Sequence, residues 1–488
     1  MIMASPGAIP SPASESSELP LREELRAGWR KGAGWISMIL LPAAVWFAPL
    51  QAGAPAKHAI AISLFMILAW ALEALPLGLA GLIGCYLYWA LGVVSVDVAF
   101  SGFADETPWF LLAAILFGEM AIKSGLARRI AFGVMLRIGT SYSRLLLGLI
   151  VADALLTFCV PSGVPRVIIM AAIALGVNQA FGLEKGSNIS RGMLLILTYS
   201  ASVFDKTIIA GAATITARGA MERFGHMQVL YSRWLLAYLP VDLVLILVAW
   251  QLTLRFFPPE KKALPGGKSY LEKELAKLGS WTPTEKKSLV FVAAAIVLWL
   301  TDFLHHVPAS KIALGIALLG LLPRVGVLRM EDLRRVDYLL MFFVASVVSM
   351  GKVLTATKSL DTFTQVLFGW ITPLIGHTYL APFALYWVGF VYHLFLASGI
   401  SMLGTSMPEL MTYATAHHLN ALALGMVWTF SSGATVFAYQ NAVLIVGYSY
   451  GCFRAKDLLR LGACLCLVNS LLLLIVVPFY WPLVGIRY

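Results

Sequence analysis

The sequence predicts an all-α, polytopic membrane protein built as an inverted repeat, with about eleven transmembrane helices and two re-entrant hairpins. Composition is the first reason. Of 488 residues, 59% are hydrophobic and 12% charged, and mean hydropathy is +0.82, outside the range of soluble domains. The second is Cys159-Val-Pro-Ser-Gly-Val-Pro-Arg166, a proline-broken polar tip between the apolar arms Leu145–Phe158 and Val167–Val177. Neither arm reaches the roughly 20 residues a spanning helix needs, so the pair reads as a hairpin that enters the membrane and returns. Irregular backbone at that depth is tolerated only where protein or a wet cavity satisfies it, so the tip should line a site. The third is repetition. Arm Tyr379–Leu396, tip Ala397–Gly404 and a return arm to Ala416 have the same grammar, and Ser398-Gly399 lies 236 positions after Ser162-Gly163, close to half the chain. Two kinked helices with unrelated breaks are the competing reading.

In chain order, residues 1–32 form a cytoplasmic tail rich in Pro, Ser, Glu and Arg, without apolar periodicity. Residues 33–256 form the first transmembrane repeat, with a leading helix and hairpin 143–178. Residues 257–285 form a cytoplasmic linker, and 286–488 the second repeat, with hairpin 378–417. Trp35–Leu50 is read as the first span, because a 34-residue leader is too long for a signal peptide. Further spans read at 58–74, 77–95, 108–125, 193–215, 228–254, 288–304, 309–323, 337–356, 421–449 and 459–482. With this parity the basic clusters around Arg22–Lys31, Arg128–Arg144, Lys261–Lys277, Arg324–Arg335 and Arg454–Arg460 all fall inside, as the positive-inside rule asks. The N-terminus is then cytoplasmic, Tyr488 external, and the hairpins enter from opposite sides. A bacterial inner membrane is the expected location.

The net charge of +11 sits in loops beside apolar segments and sets topology, with no pattern for nucleic acid. The five cysteines show no metal-ligand spacing and read as small buried residues. Gly78-x-x-Gly81-x-x-Gly84 permits close helix packing, against a neighbouring helix or a dimer partner.

After each hairpin comes a long helix interrupted by small polar residues: Thr198–Ser202, Asp205-Lys206-Thr207 and Gly211–Thr214 in the first half, Thr429–Gly433 and Tyr439-Gln440-Asn441 in the second. Such breaks free carbonyls and place hydroxyls where an ion or anion can be held. The expected substrate-binding set is Ser162, Gly163, Val164, Arg166, Ser398, Gly399, Ile400, Ser202, Lys206, Thr207 and Asn441; the expected coupling-ion set is Asp205, Asp153, Ser200, Ser431 and Ser432. Ionisable groups inside a membrane cost about 2.5–3.5 kcal/mol each on insertion scales. Asp153, Arg166, Asp205 and Lys206 therefore stand out. Arg166 could hold a carboxylate bidentately, and Pro165 should keep the tip out of a helix. The alternative is an internal Asp-Arg or Asp-Lys pair that fixes packing. Glu73 and Glu119 lie nearer span ends, and Asp302-x-x-His305-His306 and His417-His418 read as polar helix ends rather than metal ligands.

These residues resemble the divalent anion/sodium symporter (DASS) family. Trp109–Leu126, with its Lys-Ser-Gly-Leu ending, looks like the family's fourth helix, and Asp337–Leu360 like its counterpart. Arg166 falls where one branch has Ser-Asn-Thr-Ala-Arg, and Asn441 where the second broken helix has Pro-Pro-Asn-Ala. The resemblance covers roughly residues 35–485 and implies a dimeric elevator transporter holding a di- or tricarboxylate between the two tips. The family's Ser-Asn-Thr is reduced here to Ser162-Gly163-Val164 and Ser398-Gly399-Ile400. Lost side-chain oxygens favour exchange or proton coupling over strict sodium coupling. No cofactor is expected beyond Na+ or H+ as coupling ion, and the partners are a small anion, the bilayer and a second copy. A cation/proton antiporter using Asp205 is the second reading, opposed by the cation Arg166. An intramembrane enzyme lacks a motif: no His-Glu-x-x-His, Gly-x-Ser-x-Gly or paired membrane aspartates in a Gly-Asp setting occur.

Overall fold

The computed structural model describes residues 36–49, 53–72, 74–260, 267–359, 380–396 and 398–486. The tail 1–32, Glu73, Lys261, Lys262, Ala397 and Tyr488 lie outside them. Among the described residues the helices of eight or more residues are α1 (Ile36–Phe47), α2 (Ala54–Ala71), α3 (Leu77–Ala90), α4 (Glu106–Ser124), α5 (Leu126–Ile138), α6 (Tyr142–Cys159), α7 (Gly163–Ala180), α8 (Asn188–Thr207), α9 (Ala212–Phe224) and α10 (Tyr231–Phe256). Then follow α11 (Gly267–Lys277), α12 (Pro283–Leu300), α13 (Ala309–Leu321), α14 (Tyr338–Ala356), α15 (Leu380–Leu394), α16 (Gly399–Ala416), α17 (Ala421–Ser431), α18 (Ala442–Ser449) and α19 (Ala455–Ile475). Among the described residues there is no strand. The protein is an all-α, polytopic membrane protein.

Among the described residues, six helical stretches are long and apolar enough to cross a membrane, or seven with α4 and α5, which meet at 68°; the six include both arms of the first hairpin, α6 and α7, which at 18 residues each are longer than the sequence suggested. Gly125, at φ +85°, ends α4 in the left-handed conformation that a side chain would resist, and the chain turns there. Several expected spans fall on shorter apolar helices, among them Ala54–Trp70, Leu77–Ala90 and Ala309–Leu321.

Both tips are shorter than expected. Ser162 is the N-cap of α7 and Ser398 of α16, so the return arms are helical from Gly163 and Gly399 onward. Pro165 does not keep the tip out of a helix: it sits in the first turn, where the missing N–H has no intrahelical acceptor to lose. Arg166 is therefore a helical residue on a fixed face. The expected spans 193–215 and 421–449 are broken helices, interrupted between α8 and α9 at 208–211 and between α17 and α18 at 432–441.

The linker carries a helix the sequence reading missed. In α11, Leu271 is buried against α5 and α7, and Tyr270 packs on Gly176. Arg129 of α5 donates to the carbonyls of Leu278 (3.1 Å) and Gly279 (3.0 Å) just past its end, and to Glu285 Oε1 (2.7 Å) at the start of α12. A guanidinium at a helix C-terminus satisfies orphan carbonyls and meets the negative end of the dipole.

The two halves run in the same order: helix, hairpin, broken helix, long helix. They also exchange partners. α14 packs on α3, and α13 on α4; α9 packs on the return arm α16, and α18 on the return arm α7. Gly78 lies against the Leu339 backbone, Gly81 against Ser346 and Gly84 against Met66. That glycine run thus serves packing within the chain. Asp302 accepts from the Tyr231 amide (2.6 Å) and Ser232 Oγ (2.5 Å), capping α10, which gives the Asp302-His305-His306 cluster a structural role. Four of the five cysteines are buried and all are free thiols.

Candidate functional site

The returning arm α7 starts at the break of α8. Ser162 is exposed and makes no side-chain cap bond. Its place is taken by Asp205, whose Oδ1 accepts the Gly163 N–H at 3.0 Å. A carboxylate at a helix N-terminus is favoured by the free N–H groups and the positive end of the dipole. The approach needs glycine: a Cβ on Gly163 would stand 2.6 Å from Val443 Cγ2 and 3.3 Å from Ala201 O.

Arg166, one turn into α7, is fully buried. Its Nη1 donates to Asp153 Oδ1 (3.2 Å) and to Thr157 Oγ1 on the incoming arm α6. Its Nη2 donates to the Ala201 carbonyl (3.0 Å) and pairs with Asp205 Oδ1 at 3.5 Å on α8. Asp153 Oδ2 accepts from Ser200 Oγ at 2.9 Å. One guanidinium so ties three helices and two carboxylates, and both of its terminal nitrogens are spent on internal oxygens. In this conformation Arg166 does not reach toward open space as the sequence suggested.

Lys206 differs. Although Asp205 is its chain neighbour, Lys206 forms no ion pair among the described residues; its Nζ donates to the Ser202 carbonyl at 3.4 Å. Its ammonium lies over Gly433 in the break of the other half, where a Cβ would come within 2.6 Å of Nζ. Two strands of the site therefore meet at Lys206. Ser202 Oγ accepts from Asn441 Nδ2 at 3.1 Å, and Asn441 Oδ1 accepts the Val443 N–H at 2.9 Å as N-cap of α18. Thr207 Oγ1 donates to Asp242 Oδ2 at 2.7 Å.

In the second half Ser398 Oγ accepts the Ser401 N–H (3.1 Å) and meets Ser401 Oγ at 2.9 Å. Gly399 faces Ser432, with a Cβ 3.5 Å from the Ser432 carbonyl, and Ile400 is half-buried beside it, as Val164 is in the first tip. Ser431 and Ser432 turn their hydroxyls back to the carbonyls of Trp428 (2.6 Å) and Thr429 (2.7 Å). The expected residues thus cluster around 202–206: tip one through Asp205, the second broken helix through Asn441 and Gly433, tip two through Ser432. Glu119 is half-buried away from this cluster and pairs with no cation among the described residues.

Three residues of interest were not singled out from sequence. Thr157 shares Arg166, Asp242 holds Thr207, and Glu409 is a fully buried carboxyl on α16. Asp242 and Glu409 carry the signal that flagged Asp153, an acid inside an apolar run.

Two helix pairs whose second members start at the breaks of other helices, with Arg166 and Lys206 buried beside those breaks, fit an integral membrane transporter. The chain belongs to the divalent anion/sodium symporter family: the family described as "Sodium:sulfate symporter transmembrane region" matches residues 30–487. A "Membrane protein" of Cupriavidus necator is 26% identical over 404 residues, covering 80% of this chain and 77% of that protein. "Dicarboxylate transporter 1, chloroplastic" of Arabidopsis thaliana is 24% identical over 462 residues, 91% of this chain and 81% of that one. The "L-tartrate/succinate antiporter" of Escherichia coli (strain K12) is 25% identical over 404 residues, 80% and 81% of the two chains.

Proposed function

We propose that this chain is a secondary carrier of small dicarboxylates that works without sodium, as a homodimer in a bacterial cytoplasmic membrane. The carrying observation is Lys206. A buried ammonium with Asp205 and Asp242 nearby but no carboxylate within ion-pair distance is costly, and an anion seated between the tips would offset that cost. Ser162 Oγ, exposed and uncapped, and the hydroxyl of Ser398 supply neutral donors, and Asn441 holds the adjoining backbone. The names of the relatives support the dicarboxylate class.

Sodium independence rests on Arg166. A sodium site needs several convergent oxygens, and those near the first tip, Asp153 Oδ1, Thr157 Oγ1, Ala201 O and Asp205 Oδ1, are already engaged by a tethered cation. On this reading Arg166 is an internal counter-ion that holds hairpin and broken helix together as one moving body. The remaining helices, with α3, α4, α13 and α14 exchanged between halves, form the body it slides against. Reciprocal packing of α9 on α16 and of α18 on α7 supports an inverted repeat.

Uptake into proteoliposomes tests the reading, screened over succinate, malate, tartrate, citrate and sulfate with sodium, proton and counter-anion gradients imposed separately. Succinate or malate uptake in sodium-free medium is the expected result. Transport of sulfate alone, or strictly with sodium, would overturn it.

A further inference from the structure

Glu409 sits in the middle of α16, the return arm of the second hairpin, and is fully buried, with neither carboxyl oxygen hydrogen-bonded. One turn earlier on the same face, Thr405 Oγ1 meets Tyr392 Oη of α15 at 3.0 Å. Tyr88 of α3 is also within electrostatic reach, and its hydroxyl is taken by Ser63 Oγ of α2 at 2.6 Å. No compensating cation faces Glu409 among the described residues. From α9, Arg218 and Arg223 are held by Glu222, Glu106 and Asp105. Lys352 of α14 donates to the Ser101 carbonyl, Lys57 of α2 to the Ala48 carbonyl, and His58 stacks on Trp46. His393 of α15 meets the Gln440 carbonyl, and α17 carries no titratable residue.

An ionised carboxylate with no partner in such a place would cost far more than a marginally stable fold supplies, so the group is held as the neutral acid. Its location gives that proton a use. α16 packs on α2 and α14, and the carboxyl itself lies within electrostatic reach of Tyr88 on α3, which is hydrogen-bonded to Ser63 of α2. The acid thus lies where the hairpin arm meets the body it is proposed to slide against. We propose that Glu409 is the proton-binding site of this carrier, protonated in the conformation seen here and exposed to water when the arm moves. The carboxylate takes one proton from water on one side as an O–H bond, and that bond breaks on the other side, returning the proton to water. The anion is unchanged. This rests on the transport reading above and adds a coupling ion and its site.

The test uses the full chain in sodium-free proteoliposomes enclosing a pH-sensitive dye, with labelled succinate as probe. For the wild type, inward succinate flux should acidify the lumen, and an inward proton gradient should drive accumulation. In Glu409→Gln, a neutral mimic of the acid, proton-driven uptake should fall about tenfold or more and acidification should vanish, while succinate exchange at equal pH persists. Net succinate uptake by the wild type without proton movement overturns the assignment of Glu409 and leaves the transport reading intact. Absence of succinate exchange in the wild type overturns both. Proton-driven uptake retained in Glu409→Gln also overturns the assignment. If that variant does not accumulate in the membrane, Glu409→Asp decides: an unaltered pH dependence of uptake counts against the proposal, and a displaced one supports it.

Discussion

The Gly163 N–H donates to Asp205 Oδ1 at 3.0 Å, so a carboxylate on the first broken helix caps the return arm of the first hairpin. Arg166 in the same first turn pairs with that oxygen and with Asp153 on the incoming arm. Tip and break are one electrostatic unit, and their variants should behave as one.

Removing Arg166 leaves the fully buried Asp153 and the partly buried Asp205 without their cation, a loss of about 3–5 kcal/mol for the buried Asp153 pair. Arg166→Ala should fail to accumulate as folded protein or melt far below the wild type in detergent, with Arg166→Lys between them. Adding Asp153→Asn to Arg166→Ala should recover part of the loss, because one stranded charge is gone. A normally folded Arg166→Ala with reduced substrate affinity alone would return Arg166 to the role of anion ligand.

Lys206 should separate from this pattern. Lys206→Gln removes no ion-pair partner among the described residues, so folding should hold while succinate affinity drops about tenfold, near 1.4 kcal/mol. Gly433→Ala should act on the same step from the other side, since its Cβ would meet the Lys206 ammonium. A melting-temperature collapse in Lys206→Gln, with no folded protein to assay, would make the lysine structural.

Uptake rates in sodium and in potassium medium should be the same, given the oxygens already committed to Arg166. A steep, saturable sodium requirement in the purified protein would mean that serine hydroxyls and freed carbonyls suffice for a sodium site.

Much of this architecture was legible because interruptions in apolar runs are few and marked by Ser, Gly and Pro. The breaks at 208–211 and 432–441 fall among the small polar residues that announced them. Pairings were not legible. Asp153, Arg166 and Asp205 each stood out as membrane-depth charges, but their meeting depends on three helices and on Pro165 being accommodated in a first turn. Lys206 looked like the partner of Asp205, its chain neighbour. Consecutive helical residues point about 100° apart, so Asp205 reaches the first tip while Lys206 turns to Gly433 in the break of the other half. Helix α11 was hidden by the lysines around it, although Tyr270, Leu271, Leu275 and Leu278 carry a helical spacing.

Topology gives a prediction independent of transport. Lys268 is exposed, with 74% of its side chain accessible, so a cysteine there is reachable from whichever side α11 occupies. Lys268→Cys should resist an impermeant thiol reagent in sealed, right-side-out cells and react once the membrane is opened. Reaction in sealed cells would reverse the orientation of both hairpins.

Counterflow tests the central claim most directly, because it reports a carrier whatever ion it couples to. Vesicles containing the purified protein and loaded with unlabelled succinate, then diluted into a trace of labelled succinate without sodium, should accumulate label transiently above equilibrium. Lys206→Gln should show this only at higher succinate concentration. Label that merely equilibrates, at the same rate as in protein-free vesicles, for succinate, malate and tartrate alike, would contradict the account.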